Sequence, residues 1–274
     1  MVRFLLDSRA MDIFNFNPAT VFSFLLTFMR VSLVVFLLPF FGGQSIPVTV
    51  KAALCMALTL ALWPQLSFPG QAMPADIWAI MLMLVGELVL GMLLGLVVQF
   101  MFAAIQMGGA IIGFQMGFTM VTAVDPMSGQ QEPVTSHFLY MVSLMTFLTL
   151  DGHLYLLSGL AQSFQLIPPG GLIMSGRLGY RVVDLAGSIF VMGIKVAAPV
   201  MVAMLLIDVS LALISRVAPQ MNLLSFGFPV KIGVGFLFLG FTFTYLSRYV
   251  GEFIAGINTS MDVILRMAAG LNVH

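Results

Sequence analysis

From Ile77 past Ala104 the chain stays apolar, with Glu87 as its only charge, and runs directly into a glycine-rich stretch. Carried as a helix to Val121, this run would be ~68 Å long at 1.5 Å per residue, more than twice a ~30 Å hydrocarbon core. No ordinary soluble domain is built around such a segment. The run must either break or project beyond a bilayer, and the glycines are where a break is expected.

Those glycines stand at 108, 109, 113 and 117, among Ile, Phe and Met, and Asp125-Pro126 closes the stretch. Each interior Gly costs a helix ~1 kcal/mol, so the segment is a poor helix to face lipid. Apolar, flexible backbone at membrane depth persists only where it is buried in protein or lines a cavity. Residues 107–126 therefore read as part of a constriction or gate. Met107, Met116 and Met120 suit a seal that reshapes around a passenger, because methionine is unbranched and adaptable. Gly91-x-x-x-Gly95 and the 109/113/117 ladder both fit small-xxx-small packing. Close helix packing explains the first pair. It fits the ladder less well, since Phe114, Met116, Phe118 and Met120 are interleaved there and a helix-stopping Asp-Pro follows.

The rest of the chain agrees with a membrane setting. Of 274 residues, 60% are hydrophobic and 8% charged, against about 25% charged in soluble domains. Further apolar runs cover 19–41, after an Asn17-Pro18 helix start, then 48–66, 136–160, 183–217 and 229–249. Pro199 marks a kink in the fifth run, and an amphipathic tail, 252–274, closes the chain. The expected fold is all-α: a polytopic membrane protein of long, broken helices and helical hairpins. The N-terminus, broken by Asp7, Arg9 and Asp12, lacks the apolar core of a cleavable signal and reads as a retained amphipathic lead-in. Net charge is zero, which points away from nucleic acid. The single Cys55 allows no internal disulfide. Residues 52–176 hold no Lys or Arg, so loop charges give no orientation. This fits a protein positioned by partners.

Four charges fall deep within apolar runs: Arg30, Glu87, Lys195 and Asp208. Each costs ~2.5–3.5 kcal/mol at a helix centre on insertion scales, so each should face protein or water and find a partner. No two stand at i,i+4 spacing, so any partner is on another helix or another chain. Pairing that fixes helix register is one account; a proton or ion relay is the other.

Enzymatic chemistry finds little footing. None of His137, His153 and His274 belongs to a His-Glu-x-x-His motif, and no Gly-x-Ser-x-Gly elbow occurs. Asp151-Gly152-His153 sets a carboxylate beside an imidazole without a third group at metal-ligand spacing. A helix break or polar packing site explains it better. No Gly-Lys-Ser/Thr phosphate loop is present, and nothing calls for a cofactor.

Taken in order, several segments resemble the FliR family of flagellar type III export components and its injectisome counterpart. They are Arg30-Val31, Pro39 with Gly42-Gly43, Ile46-Pro47 and Lys51, then Gly86-Glu87-x3-Gly91 and residues 108–126. Asp151-Gly152-His153, Pro168-x-Gly170-Gly171 and Ala198-Pro199 follow. Last come Ser215-Arg216-Val217-Ala218-Pro219-Gln220-x-Asn222 and Gly227-Phe228-Pro229-x-Lys231. Position 151 departs from the pattern, carrying Asp where Asn-Gly-His is common.

The resemblance implies a non-enzymatic export-gate subunit of the bacterial inner membrane, within the flagellar basal body. It implies a FliP-like part over 1–180 and a FliQ-like helical hairpin with tail over 181–274. It further implies assembly with FliP and FliQ, with FlhB and FlhA nearby, around a pore for unfolded rod, hook and filament subunits. The family's plug loop aligns with 113–124, taking in Gly113, Phe114, Gln115, Met116, Gly117, Phe118, Thr119 and Met120. Two rivals stand beside this reading. A secondary transporter would use Glu87 and Asp208 as proton sites, and would need two similar halves with matched breaks; the sequence has no such symmetry. An intramembrane enzyme around His153 ranks last.

Overall fold

The computed structural model describes residues 18–42, 46–63, 74–118, 133–220 and 223–271, and among these the regular structure is helical throughout. In chain order the helices are α1 (Pro18–Leu37), α2 (Pro39–Gly42), α3 (Val48–Leu62), α4 (Ile77–Met116), α5 (Val134–Thr149), α6 (Gly152–Leu166), α7 (Gly176–Val217) and α8 (Leu223–Ala268). Four of them, α1, α4, α7 and α8, are long and apolar enough to cross a membrane, and α5 with α6 make a fifth candidate span bent by 68°. The fold is that of an all-α polytopic membrane protein.

Several boundaries depart from the sequence expectation. α4 is unbroken for 40 residues, ~60 Å at 1.5 Å per residue, and passes through Gly108, Gly109 and Gly113 without a break. α8 starts at Leu223 and runs through Pro229, where the sixth run is expected to begin. The expected separate tail at 252 is simply the continuation of α8. The fourth apolar run, in contrast, is two helices. Isolated propensity is a weak guide here because tertiary contacts decide which breaks occur. The N-terminal lead-in lies outside the described residues.

The chain forms two compact units, each assembled from separate stretches. One draws on residues 1–96, 157–179 and 259–274. In it α1 packs on α3, with Phe24 edge-on to Trp63 at 5.8 Å between ring centroids. Gly91 and Gly95 let α4 lie close against α1. A Cβ on Gly91 would stand 2.8 Å from the Leu33 Cβ, and one on Gly95 2.5 Å from the Leu37 Cβ. The end of α8 joins the same unit, where the Ala268 carbonyl accepts from the Ile173 N–H at 2.8 Å.

The other unit draws on residues 97–156 and 180–258. Its centre is the second half of α4, where Val98, Met101, Phe102, Ile105, Ile112 and Met116 are all buried. Phe102 meets Tyr140 and Phe147 of α5 edge-on at 5.5 and 5.7 Å. Along α4's most apolar window 61% of residues are buried, against 22% for α7 and for α8. The second half of α4 is therefore internal to its unit, whereas Trp78, Leu82 and Val85 near its start are exposed. The two longest helices leave most of their apolar surface uncovered by this chain.

Candidate functional site

The glycines of the 107–126 stretch are points of close contact, with backbone at Gly108 and Gly109 and with side chains at Gly113 and Gly117. A Cβ on Gly109 would lie 2.5 Å from the Ser136 Cα and 3.0 Å from its nitrogen. On Gly113 it would strike the Thr135 hydroxyl and stand 3.1 Å from the Pro133 Cβ. On Gly108 it would meet the Gly193 carbonyl and the Val196 side chain of α7, both at 2.9 Å. The start of α5 is then fastened to α4 by hydroxyls, Thr135 donating to the Gly109 carbonyl at 2.7 Å and Ser136 to the Gln106 carbonyl at 2.8 Å. Close approach of backbones through small residues, supplemented by hydroxyl bonds, is how apolar helices associate without a hydrophobic driving force. This is why the glycines sit in a helix that they would destabilise in isolation. Thr135 and Ser136 carry no sequence signal for this role, because nothing local links them to residues 26 and 30 positions earlier.

The helix stops at Gly117. Its φ of 84° is left-handed, the Gly117 N–H donates to the Phe114 carbonyl at 3.1 Å, and the Phe118 N–H donates to the Gly113 carbonyl at 3.0 Å. That pair of bonds is a Schellman end, which glycine adopts without a Cβ penalty. Of the eight candidate plug residues, Gly113, Phe114, Gln115 and Met116 thus form the last turn of α4, and Gly117 and Phe118 its cap. Thr119 and Met120 lie outside the described residues. Met116 is buried, with Gly235 of α8 left bare to receive it. Phe118 faces Phe236 at 6.2 Å, and the Gly117 turn lies against the Phe228 ring. Phe114 points the other way and is 69% exposed.

The four interior charges divide into two environments. Arg30 and Glu87 are fully buried. Arg30 Nε donates to Glu87 Oε2 at 2.6 Å and Nη2 to Oε1 at 2.9 Å. Nη1 donates to the Ser163 hydroxyl oxygen at 3.3 Å and to the Ile167 carbonyl at 3.1 Å. The guanidinium also lies 4.3 Å from the Phe164 ring centroid, where a cation meets the negative face of the ring. Glu87 Oε1 accepts a further bond from the Gly170 N–H at 3.2 Å. That amide belongs to a turn over 168–171, closed by Gly171 N–H to Pro168 O at 2.8 Å, with Gly170 at φ 81°. Pro169 followed by left-handed Gly170 is the type II turn arrangement. The cluster clamps α1, α4, α6 and this turn together. Ser163 and Gly170 are parts of it that no sequence spacing revealed.

Lys195 and Asp208 do not share that burial. Asp208 is half exposed and ion-paired with Lys231 of α8, which, with a Gly227 that leaves room for Leu211, joins the facing ends of α7 and α8. Lys195 is exposed.

Asp151 stands at the bend between α5 and α6 with φ 56°. Asp and Asn are the non-glycine residues most tolerant of that region, which accounts for Asp at a place where Asn is common in the resembling family. Gly152 beside it has no room for a side chain, because Phe147's ring fills the space where a Cβ would go. The tripeptide is a built corner. Among the described residues no group of three His, Cys, Asp or Glu side chains is placed to hold a metal.

Long apolar helices, glycine-mediated contacts and a buried arginine–glutamate clamp define an integral membrane protein of the multi-helix class. Residues 21–257 match the family model described as bacterial export proteins, family 1. The chain is 34% identical over 207 residues to the flagellar biosynthetic protein FliR of Escherichia coli (strain K12), covering 76% of this chain and 78% of that one. It is 30% identical to FliR of Bacillus subtilis (strain 168), over 79% and 84%. It is 27% identical to the surface presentation of antigens protein SpaR of Salmonella typhimurium, over 78% and 80%. The chain belongs to family 1 of the bacterial export proteins, the FliR family, and is a membrane component of the flagellar/type III export apparatus.

Proposed function

We propose that this chain is a non-enzymatic subunit of the flagellar type III export gate. With FliP and FliQ it walls the pore through which unfolded rod, hook and filament subunits cross the inner membrane, in the basal body beside FlhA and FlhB. Residues 1–180 act as the FliP-like part and 181–274 as the FliQ-like hairpin. The observation that carries the reading is the uncovered apolar surface of α7 and α8, where only 22% of each apolar window is buried. At 42 and 46 residues these helices are ~63 and ~69 Å long, twice a ~30 Å hydrocarbon core, so lipid alone cannot cover them. Neighbouring subunits can.

We assign the plug to 113–124, whose described part is the last turn of α4 and its Gly117 cap, with Phe114 facing outward. Deleting 117–124 in the assembled gate is expected to raise leakage of ions or small molecules and to alter export. A deletion variant that keeps a tight seal and normal secretion sinks the plug assignment. The transporter reading gains no support from Glu87. Its oxygens are engaged by Arg30 and the Gly170 amide, which is the bonding of a structural clamp.

A further inference from the structure

Lys195 is the only charged residue between Asp184 and Asp208 on α7, 11 residues after the first and 13 before the second. At 1.5 Å per residue it stands ~17 and ~20 Å along the axis from them, near the middle of the apolar run. Its side chain is exposed on the chain's own surface. With 3.6 residues per turn, Val191, Val202, Leu206, Val209 and Leu213 all fall within about 40° of Lys195 around the helix, and each is more than half exposed. The face is thus an aliphatic stripe with one ammonium set in it.

A purely lipid-facing stripe has no use for that ammonium. A lysine at the centre of an apolar helix is costly and pairs with a carboxylate or faces water. Its four-carbon stem is too short to carry the charge to a headgroup from the middle of the run. Among the described residues no carboxylate pairs with it, whereas Lys231 of α8 holds Asp208.

We infer that the Lys195 stripe of α7 is the seat of an apolar helix from a neighbouring export-apparatus subunit, and that this helix carries a single carboxylate opposite Lys195. This rests on the export-gate reading above. Aliphatic side chains supply the contact and the one ion pair sets its register, since a wrong register strands both charges.

The test uses the full chain in its assembled complex. In a Cys55→Ala background, Val202→Cys is expected to cross-link to one export subunit. Lys195→Glu should lower that adduct and the co-purified fraction at least tenfold, Lys195→Met should lower both less, and Lys195→Arg should keep both. Reversing the facing acid of the cross-linked neighbour to Lys should restore assembly to Lys195→Glu. Assembly of Lys195→Glu or Lys195→Met at the unsubstituted level overturns the inference. So does rescue by Asp125→Lys or Glu132→Lys within this chain, or loss of the effect when anionic lipid is removed. If the unsubstituted chain co-purifies with no export subunit, the gate reading itself fails. If it does and Lys195→Glu does too, only this inference fails.

Discussion

Arg30 grips Glu87 at two points, 2.6 and 2.9 Å, with both side chains out of reach of solvent. A fork-to-carboxylate bond of this kind fixes angle as well as distance. It ties α1 to α4 across 57 residues of sequence, and through Ser163, Ile167 and Gly170 it ties both to the corner after α6. Taking two charges out of water is itself expensive, so the pair is better understood as a device for register than as a source of stability.

That distinction is measurable. Arg30→Met alone leaves a buried carboxylate without its partner, and Glu87→Leu alone leaves a buried guanidinium. Each should destabilise by ~3–5 kcal/mol, whereas the double substitution should recover much of the loss. Thermal unfolding of the detergent-purified protein provides the double-mutant cycle. Strictly additive losses would show that the two residues act separately.

Gly109 of α4 and Gly187 of α7 should respond oppositely to the same change. Gly109→Ala drives a methyl into the Ser136 backbone, which cannot swing aside as a flexible side chain can, and overpacking of this sort costs ~1–3 kcal/mol. Gly187 is also within a helix, yet a Cβ there meets nothing within 4 Å. Gly187→Ala should therefore gain ~0.5–1 kcal/mol from helix propensity. Equal effects of the two substitutions on the unfolding temperature would contradict the close contact at Gly109.

Sequence pattern reached the helices and stopped short of their partners. The long run from Ile77 and the Pro18 start were legible because apolar continuity and proline's fixed φ act locally. Gly117 is legible as a helix stop for the same reason. Gly108, Gly109 and Gly113 look like the same signal, but the contacts that keep them helical come from Pro133, Thr135, Ser136 and Val196, which no local rule connects to them. The corner at Asp151 splits a run that hydropathy reads as single; the Asp151-Gly152-His153 tripeptide offers a helix break there as one of two readings, and the left-handed backbone of Asp151 makes it. That Arg30 meets Glu87, and that Asp208 meets Lys231 rather than Lys195, is a matter of which helix faces lie together.

Asp151 offers a test of backbone conformation free of charge effects. Asp151→Asn keeps a residue that tolerates φ 56° and should leave stability within a few tenths of a kcal/mol. Asp151→Val places a β-branched residue in the left-handed region, at a cost of ~1–3 kcal/mol. If Asp151→Asn and Asp151→Val unfold at the same temperature, the corner does not depend on this residue.

The end of α4 separates a structural defect from a functional one. Gly117 has φ 84°, and a Cβ there would stand 2.8 Å from the Phe228 ring, so Gly117→Val is strained in both backbone and packing. The helix can no longer end where it does. Gly117→Ala brings the same Cβ against the ring but carries the milder left-handed penalty of ~1–2 kcal/mol. Phe114→Ala removes an exposed ring without touching the turn and should leave the unfolding temperature unchanged. Under the plug assignment, ion leakage through the assembled gate should rise in the order Gly117→Ala, then Gly117→Val, in step with disruption of the turn. Conductance of gate-expressing membranes reads the order directly. Destabilisation by Gly117→Val with no leakage would reduce the turn to a helix cap and remove the plug from this end of α4.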